Sequence, residues 1–351
     1  MKVGITIDYG PFGFMDRYDP EFICNGSDHK GRYDYQSQPS ICKWNLVKFA
    51  EQIDHLIPHE KSREIITANY NPTFLNEMVT GARQKLGLFG KDDADSQLFE
   101  SFLNTMNETA ADFTNTFRAL SSFETDKDGK ATSESKSALI KHIVENCCHS
   151  VEEWKNSAMK SSGDGQIDMI RNGILIYLMA CCPHFIKLYL LFNVGDENPS
   201  FELIVCEIIF SKRMMLRHGM LSSSDQVRAR AMLEEHDRKQ DVFNMSDDDK
   251  REKDVQKWTE WVDIYSSRLI ADQKLASRTI SFDERRISMN KSNPKVVLRN
   301  YIAEDVISAA ENGDFEPTRK LLEVLKTPFD ENIDEKFTKI VSLENIDLKV
   351  T

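Results

Sequence analysis

An acidic residue at the end of a predicted strand is the strongest candidate for chemistry in this sequence. Residues 3–7 (VGITI) are mostly β-branched and predict a strand, and Asp8 follows at its end. Tyr9 and Gly10 come next, and a glycine frees the backbone to turn beside the carboxylate. A carboxylate is a hard oxygen ligand of the kind that Mg²⁺ binds. Asp8 is therefore a candidate metal ligand, and the alternative is that it only caps a turn.

The cysteines are a second group of candidates. There are 7 of them, an odd number, and no C-x-x-C pair occurs, which argues against a disulfide scaffold or a zinc ribbon and favours a reducing compartment. Cys24 lies in the polar, aromatic-rich segment 16–40, and long irregular segments of this kind are typically functional loops. Cys147, Cys148 and His149 suggest a metal ligand set, but adjacent side chains diverge, so we interpret the pair as inert buried thiols.

The charge balance limits the classes of partner. Lysine plus arginine is 45 and aspartate plus glutamate is 57, so the net charge is 45 − 57 = −12. A nucleic-acid protein needs a basic face, and none stands out, so we expect no nucleic-acid partner. For the same reason Trp258 and Trp261 are predicted to be core residues and not a stacking platform. The acidic run 247–249 is predicted to be an exposed helix start, since it lacks the spacing of a calcium loop.

One apolar run requires a membrane test. Residues 173–194 are long enough to span a bilayer, but Pro183, His184 and Lys187 fall in the middle of the run. A lysine at that depth costs about 2.5–3.5 kcal/mol on insertion scales. We therefore predict two shorter buried elements that meet at Pro183, and no membrane association.

Apolar residues at helical spacing dominate the rest of the chain. The predicted helices begin at Pro39 or Ser40, Asn71, Asp95, Asp112, Leu139 and Asn293, with a charged helical stretch over 225–275 and a last helix capped by Asp314. Residues 123–136 show no periodicity and are predicted to be a loop. The expected fold is mainly α with a short β entry that carries Asp8.

The motifs around Asp8 closely resemble the selenoprotein O family. The resemblance rests on runs at 6–14 (TIDYGPFGF), 16–20 (DRYDP), 83–87 (RQKLG), 112–117 (DFTNTF), 293–303 (NPKVVLRNYIA) and 311–315 (ENGDF). It covers residues 3–122 and about 285–329, is looser over 211–280, and is not visible over 123–210. The Asp-Tyr-Gly element is also similar to the Asp-Phe-Gly element of protein kinases, whose Asp binds the Mg²⁺ that bridges nucleotide phosphates.

The resemblance implies a kinase-like (pseudokinase) fold and a specific activity. Members of the family transfer AMP from ATP to hydroxyl side chains of proteins, with Mg²⁺. It implies that Asp8 is the metal-binding Asp, that ATP and Mg²⁺ are the cofactors, and that proteins are the substrates. It also places the catalytic base, the second metal ligand and the phosphate-binding residues upstream of Met1. In some members the counterpart of Cys24 forms a disulfide with a residue near the C-terminus, so Cys24 is a candidate redox residue. The tail of this sequence has no cysteine, which favours a free, inert thiol.

These observations predict a partial protein. We expect the helical C-terminal lobe of the kinase-like fold without its N-terminal lobe, and we expect purified 1–351 to show no Mg²⁺-dependent AMP transfer. The predicted regions are 1–122 with the metal motif, 123–210 with a loop and an apolar insert (roughly 163–210) foreign to the family, 211–330 with further helices, and 331–351 as an irregular tail. A splice form and an incomplete gene model both remain open.

Two functions of different classes remain. The first is part of a protein adenylyltransferase with Asp8 as metal ligand. The second is a non-catalytic fragment that acts at most as an interaction module through its acidic helices. Resemblance to eukaryotic members predicts a mitochondrial location, whereas a chain made as given is expected in the cytoplasm.

Overall fold

The computed structural model describes residues 15–25, 28, 31–153 and 245–339. The chain divides into two units, one of residues 1–154 and 247–351 and the other of residues 155–246. All the described residues belong to the first unit except Met245 and Ser246, which belong to the second. The predicted strand 3–7 with Asp8, and the apolar run 173–194, also lie outside it. In the described ranges the protein is mainly helical, as the sequence predicts, and contains no strand longer than a single bridge.

Nine α-helices are described in these ranges. They are α1 (Gln38–Gln52), α2 (His59–Lys85), α3 (Asp95–Thr109), α4 (Phe113–Ala119), α5 (Ser133–Asn146), α6 (Asp247–Leu275), α7 (Phe282–Ser292), α8 (Asn300–Glu311) and α9 (Glu316–Lys326). Short 3₁₀ turns follow α4 at Leu120–Ser122 and α9 at Glu335–Phe337. No helix in the described ranges is both long and apolar enough to cross a bilayer.

Helix α6 lies at the centre of the main core. Its buried stripe consists of Trp258, Trp261, Val262, Tyr265 and Leu269, none of them more than 2% exposed. The prediction that both tryptophans are core residues is confirmed. Helices α3 and α5 both pack against α6. The acidic run 247–249 forms the first turn of α6, where the partial positive charge of a helix N-terminus favours carboxylates.

A smaller core joins the last two helices to the chain before and after them. It consists of Val296, Ile302, Leu321 and Phe337, all less than 10% exposed. Within α8 the buried residues are Asn300, Ile302 and Ala303. Gly313 has φ +84°, the left-handed conformation that favours glycine after a helix.

Three predicted helix starts are wrong, and the first is Leu139, because α5 already begins at Ser133 with Thr132 as its cap. Asn71-Pro72 was expected to open a helix, but α2 begins at His59 and continues through Pro72. Pro72 lies on an exposed face, and a 27-residue helix tolerates the loss of one backbone hydrogen bond. Asn293 was expected to cap the start of a helix, but it terminates α7. Its Nδ2 atom donates to the carbonyl oxygen of Lys85 at 2.8 Å, so a contact distant in sequence determines its role.

The loop predicted over 123–136 is confirmed up to the start of α5. Asp126 organises it by accepting hydrogen bonds at Oδ1 from the amides of Asp128 and Lys130, at 2.8 and 2.9 Å. Helix α5 belongs to the region that the sequence predicted as a loop plus a foreign insert, and it packs against α6. The four predicted regions of the chain remain predictions.

Candidate functional site

Of the two candidate residues that the sequence indicated, Asp8 and Cys24, the structure describes only Cys24. Asp8 lies outside the described residues, so its role as a metal ligand remains a prediction. Cys24 is described as a half-buried free thiol. In the described part of the chain, no three histidine, cysteine, aspartate or glutamate side chains converge to hold a metal ion. The site must therefore be built from the segment that follows the Asp-Tyr-Gly motif.

Residues 15–18 follow that motif and are fixed against the start of α4. The amide of Tyr18 donates to the carbonyl oxygen of Ala111 at 2.9 Å, and the amide of Phe113 donates to that of Asp16 at 2.8 Å. Together they form an antiparallel bridge between Arg17 and Asp112. A second bridge joins Ala111 to Cys148, so three separate stretches of chain meet here.

A buried arginine joins two of these stretches through their side chains. Arg299 is 1% exposed, and its Nη1 atom lies 2.7 Å from Oδ1 of Asp16 and 2.7 Å from Oδ2 of Asp112. Its Nη2 atom lies 3.1 Å from Oδ1 of Asp112, which makes that pair bidentate. Burial works against the charge, but the two carboxylates outweigh it and raise the pKa of Arg299 above its usual value. We call Arg299, Asp16 and Asp112 the Arg299 clamp.

Asp112 also organises the backbone around the clamp. Its Oδ1 atom accepts a hydrogen bond from the amide of Asn115 at 2.8 Å, so it caps the N-terminus of α4. Its own amide donates to the carbonyl oxygen of Cys147 at 2.8 Å. Asp112 is 0% exposed, and a buried carboxylate requires partners of this kind. The sequence correctly predicted a helix beginning at Asp112.

An aromatic cluster of Tyr18, Tyr35 and Phe113 lies next to the Arg299 clamp. The ring of Tyr18 stacks on Phe113 with centroids 5.9 Å apart, and Tyr35 meets Tyr18 edge-on at 5.8 Å. Burial, followed by the neighbouring Tyr35 and Asp19, raises the pKa of Tyr18 to about 12, so its hydroxyl stays neutral at physiological pH. These contacts support the sequence expectation that segment 16–40 is irregular but packed.

His149 lies beside the same junction. It is 4% exposed, and its Nε2 atom has no hydrogen-bond partner within the described ranges. Burial is the main cause that lowers the pKa of His149 to about 4, against the opposing attraction of Glu153. The ring is therefore neutral at physiological pH. A buried neutral histidine with an unpartnered nitrogen fits a packing role beside the clamp.

The adjacent cysteines are inert thiols, as predicted. Cys147 is 1% exposed, and burial raises the pKa of its thiol well above the usual value. Burial likewise raises the pKa of Cys148 to about 12. A reactive cysteine needs a stabilised thiolate, which neither residue has, although Cys148 is only half-buried.

The sequence named Asp16 and Arg299 only within the family-like runs, and it named Asp112 as a helix start but not as a partner of Arg299. Asp16 and Arg299 are 283 positions apart, and Asp112 and Arg299 are 187 apart, so no local pattern pairs them. The one available signal was that all three fall in the runs that carry the resemblance. The structure brings those runs together at a single buried point.

Comparison with known proteins decides the family. The family described as protein adenylyltransferase SelO matches residues 2–326 of this chain. The chain belongs to this family. The resemblance drawn from the motifs is confirmed, and the matched range includes both the Asp-Tyr-Gly motif and residues 123–210, where the sequence reading found no likeness.

The relatives show how much of the family protein this chain represents. It is 35% identical to "Protein adenylyltransferase SelO-1, mitochondrial" of Danio rerio over 333 residues, which cover 93% of this chain and 42% of that relative. It is 32% identical to the corresponding protein of Homo sapiens over 329 residues, which cover 93% of this chain and 43% of that relative. A bacterial relative, "Protein nucleotidyltransferase YdiU" of Brevibacillus brevis, is 46% identical over 123 residues. The chain thus spans under half the length of these mitochondrial relatives.

Proposed function

We propose that this chain supplies one metal ligand, Asp8, and the helical lobe of a Mg²⁺-dependent protein adenylyltransferase. The reaction transfers AMP from ATP to hydroxyl side chains of proteins. The observation that carries the proposal is the family match across residues 2–326, which includes the Asp-Tyr-Gly motif. The bacterial and animal relatives bear the names nucleotidyltransferase and adenylyltransferase, which agree on this class of reaction.

The carboxylates that follow Asp8 support its assignment as the ligand. Asp16 is bound to Arg299 at 2.7 Å, and Oδ1 of Asp19 accepts a hydrogen bond from the amide of Glu21 at 2.9 Å. Asp16 thus holds the segment to a distant part of the chain, whereas the Asp19 contact closes only a local turn. Asp8 has the ligand chemistry that Mg²⁺ prefers. In our proposal Asp16 fixes the segment, and Asp8 binds the ion.

The mechanism assigns a separate task to each part of the chain. When bound, Mg²⁺ neutralises charge on the nucleotide phosphates, which is the main requirement of phosphoryl-type transfer. Asp8 holds the ion, and the Arg299 clamp holds the segment that follows Asp8. In the proposed kinase-like arrangement, α6 and the helices around it form the rigid lobe to which that segment is attached. A rigid lobe matters because such catalysis depends on positioning.

We extend the proposal to partners and place. The substrates are proteins, as the name protein adenylyltransferase implies, and the acceptors are exposed hydroxyl side chains, as the family resemblance implies. The location is the mitochondrion, since the matched proteins of Danio rerio, Mus musculus and Homo sapiens all carry that word in their names.

A fusion protein tests the proposal. The part of the Danio rerio relative that precedes its matched segment is joined to residues 1–351, and transfer of labelled AMP from ATP to a general protein acceptor is measured with and without Mg²⁺. We expect Mg²⁺-dependent transfer that Asp8→Asn reduces at least a hundredfold. Asp19→Asn is the matched control, because it also removes one carboxylate of the same segment, and we expect it to retain transfer within threefold.

The competing function is an outcome of the same measurement. A folded fusion that transfers no AMP would make the chain a non-catalytic interaction module. Equal activity of the wild type and Asp8→Asn would remove Asp8 as the ligand. Chain 1–351 is also assayed alone, which tests the sequence expectation that it is inactive by itself.

A further inference from the structure

We propose that the groove between α5 and α6 binds an acidic amphipathic helix of a partner protein. Its apolar lining consists of Ile140 and Val144 of α5 and Val255 of α6. Two cations, Lys141 and Arg251, also line it, together with one hydroxyl side chain from each helix. We call it the α5–α6 groove. Its role goes beyond the proposed function, because it involves neither the metal ion nor the transfer of AMP.

Two ion pairs connect the helices near the two ends of the groove. Nζ of Lys136 lies 2.7 Å from Oδ1 of Asp263, and Arg251 pairs with Glu145. Residue numbers therefore rise along α5 as they fall along α6, so the helices are antiparallel neighbours. The lining residues of each helix recur every three or four positions and form one continuous face. The groove is thus a feature of two packed helices and not of a loop.

The size of the groove fits protein side chains better than a cofactor. Its volume is about 190 Å³, whereas pockets for drug-sized ligands typically have about 300–1,000 Å³. The lining extends along α5 for about 10 Å, or two helical turns. Two turns of a partner helix present apolar side chains at positions i, i+3 or i+4, and i+7, which is how helices bind in grooves. A helix therefore matches both the volume and the length.

The apolar lining is open to a partner at Val255. This side chain is 40% exposed, whereas Ile140 and Val144 are each 8% exposed and belong to the main core. An exposed apolar side chain bordered by polar groups is the usual centre of an interaction surface. An apolar residue of the partner that packs on Val255 would remove both side chains from water. The floor of the groove thus requires an apolar face on the partner.

The charge of the lining selects an acidic partner. Its two charged residues, Lys141 and Arg251, are both cations, although the whole chain has a net charge of −12. Arg251 already pairs with Glu145, whereas Lys141 is exposed and has no ion pair in the described part of the chain. A partner carboxylate beside Lys141 would be favourable, and a partner cation would be repelled. A second copy of the chain is disfavoured, since two copies repel each other through their net negative charge.

Two synthetic peptides provide the probes. Each is about sixteen residues long, or a little over four helical turns, with leucine at the i, i+3, i+4 and i+7 positions of one face. The first has glutamate beside the leucines, and the second has lysine at the same positions. Fluorescence anisotropy of the labelled peptides measures their binding to chain 1–351 at low and at high salt. We expect the glutamate peptide to bind saturably, at least about tenfold more tightly than the lysine peptide, and more weakly at high salt.

Variants of the groove locate the binding. We expect Lys141→Glu to weaken binding of the glutamate peptide at least about fivefold, and Lys141→Arg to keep it within about twofold. Val255→Gln, which changes no charge, should weaken it at least about fivefold. The matched controls are Ile264→Gln, on a residue of α6 that is 54% exposed outside the groove, and Lys320→Glu, on a side chain of α9 that is 64% exposed. Both controls should bind within about twofold of wild type.

The outcomes decide between this site and its alternatives. The proposal is wrong if the glutamate peptide does not bind saturably, if it binds no more tightly than the lysine peptide, or if Val255→Gln binds like wild type. Sedimentation velocity tests self-association. If chain 1–351 forms a dimer that Lys141→Glu dissociates, the occupant is a second copy and a separate partner is wrong. AMP transfer enters none of these measurements, so failure of the proposed function would leave the groove unaffected.

Discussion

The Nε atom of Arg268 lies 2.8 Å from Oδ1 of Asp95, although the two residues are 173 positions apart. Both are buried, and Asp272 extends the pair by accepting from Arg268 at 3.3 Å and from Arg285 at 2.9 Å. The cluster fastens α6 to the start of α3 and to α7. It resembles the Arg299 clamp in chemistry but has no described contact with residues 15–18, so it should govern stability alone.

Neutralising Asp272 should be strongly destabilising. Its Oδ1 atom also accepts the amides of Phe89 and Gly90, at 3.0 and 2.8 Å, so Asp272→Asn removes charge compensation and disturbs backbone partners together. We expect a loss of about 3–5 kcal/mol in the free energy of unfolding. Chemical denaturation followed by circular dichroism measures it. Asp263→Asn, in a surface pair with Lys136 whose Asp side chain is 59% exposed, should change the same quantity by less than about 1 kcal/mol.

Removing one buried hydroxyl should have a smaller, defined effect. Tyr265 is fully buried in α6, and its hydroxyl donates to the carbonyl oxygen of Leu86 at 2.7 Å. Tyr265→Phe keeps the ring but leaves that carbonyl without this donor. We expect a loss of about 1–2 kcal/mol in the free energy of unfolding. Tyr33→Phe serves as the control on a ring that is 40% exposed, and a comparable loss there would contradict this explanation.

Two glycines with similar backbone conformations should respond differently to alanine. Gly129 has φ +78° and Gly313 has φ +84°, so both substitutions incur the left-handed penalty of about 1–2 kcal/mol. A Cβ atom at Gly129 would also lie 2.6 Å from the carbonyl oxygen of Leu269, whereas at Gly313 it meets no atom within 4 Å. Gly129→Ala should therefore cost about 1–3 kcal/mol more than Gly313→Ala in thermal unfolding. Equal losses would show that the loop moves to relieve the contact.

His149 should make stability fall at mildly acidic pH. Its pKa is lowered to about 4 in the folded protein, mainly by burial, against an ordinary value of 6.5. The unfolded chain therefore binds more protons between these two values, and stability that is present above pH 6.5 is lost as pH falls toward 4. Between pH 7.5 and 5 the expected loss from this residue is about 2 kcal/mol.

The measurement for His149 compares the wild type with His149→Gln. Glutamine does not titrate, so the difference between the two pH profiles of unfolding free energy isolates the histidine from Asp112, Glu153, Arg17 and Lys250 around it. The wild type should lose about 2 kcal/mol more than the variant between pH 7.5 and 5. Parallel profiles would mean that folding does not change the pKa of His149.

The sequence by itself determined the family, the helical class and the course of the central helix. The core positions of Trp258 and Trp261 were predictable, because helical periodicity is a local property that burial then preserves. The cap at Asp112 was also predictable, since a capping side chain bonds to an amide three residues away.

The tertiary structure decided which charges meet and what the ambiguous signals mean. Asn293 and Pro72 looked like helix starts, but Asn293 ends a helix by bonding to Lys85, and α2 continues through Pro72. The pairing of Arg299 with Asp16 and Asp112 depends on packing across most of the chain. Local patterns cannot specify such pairs, because buried charges are satisfied by whichever partner the fold brings within hydrogen-bond distance.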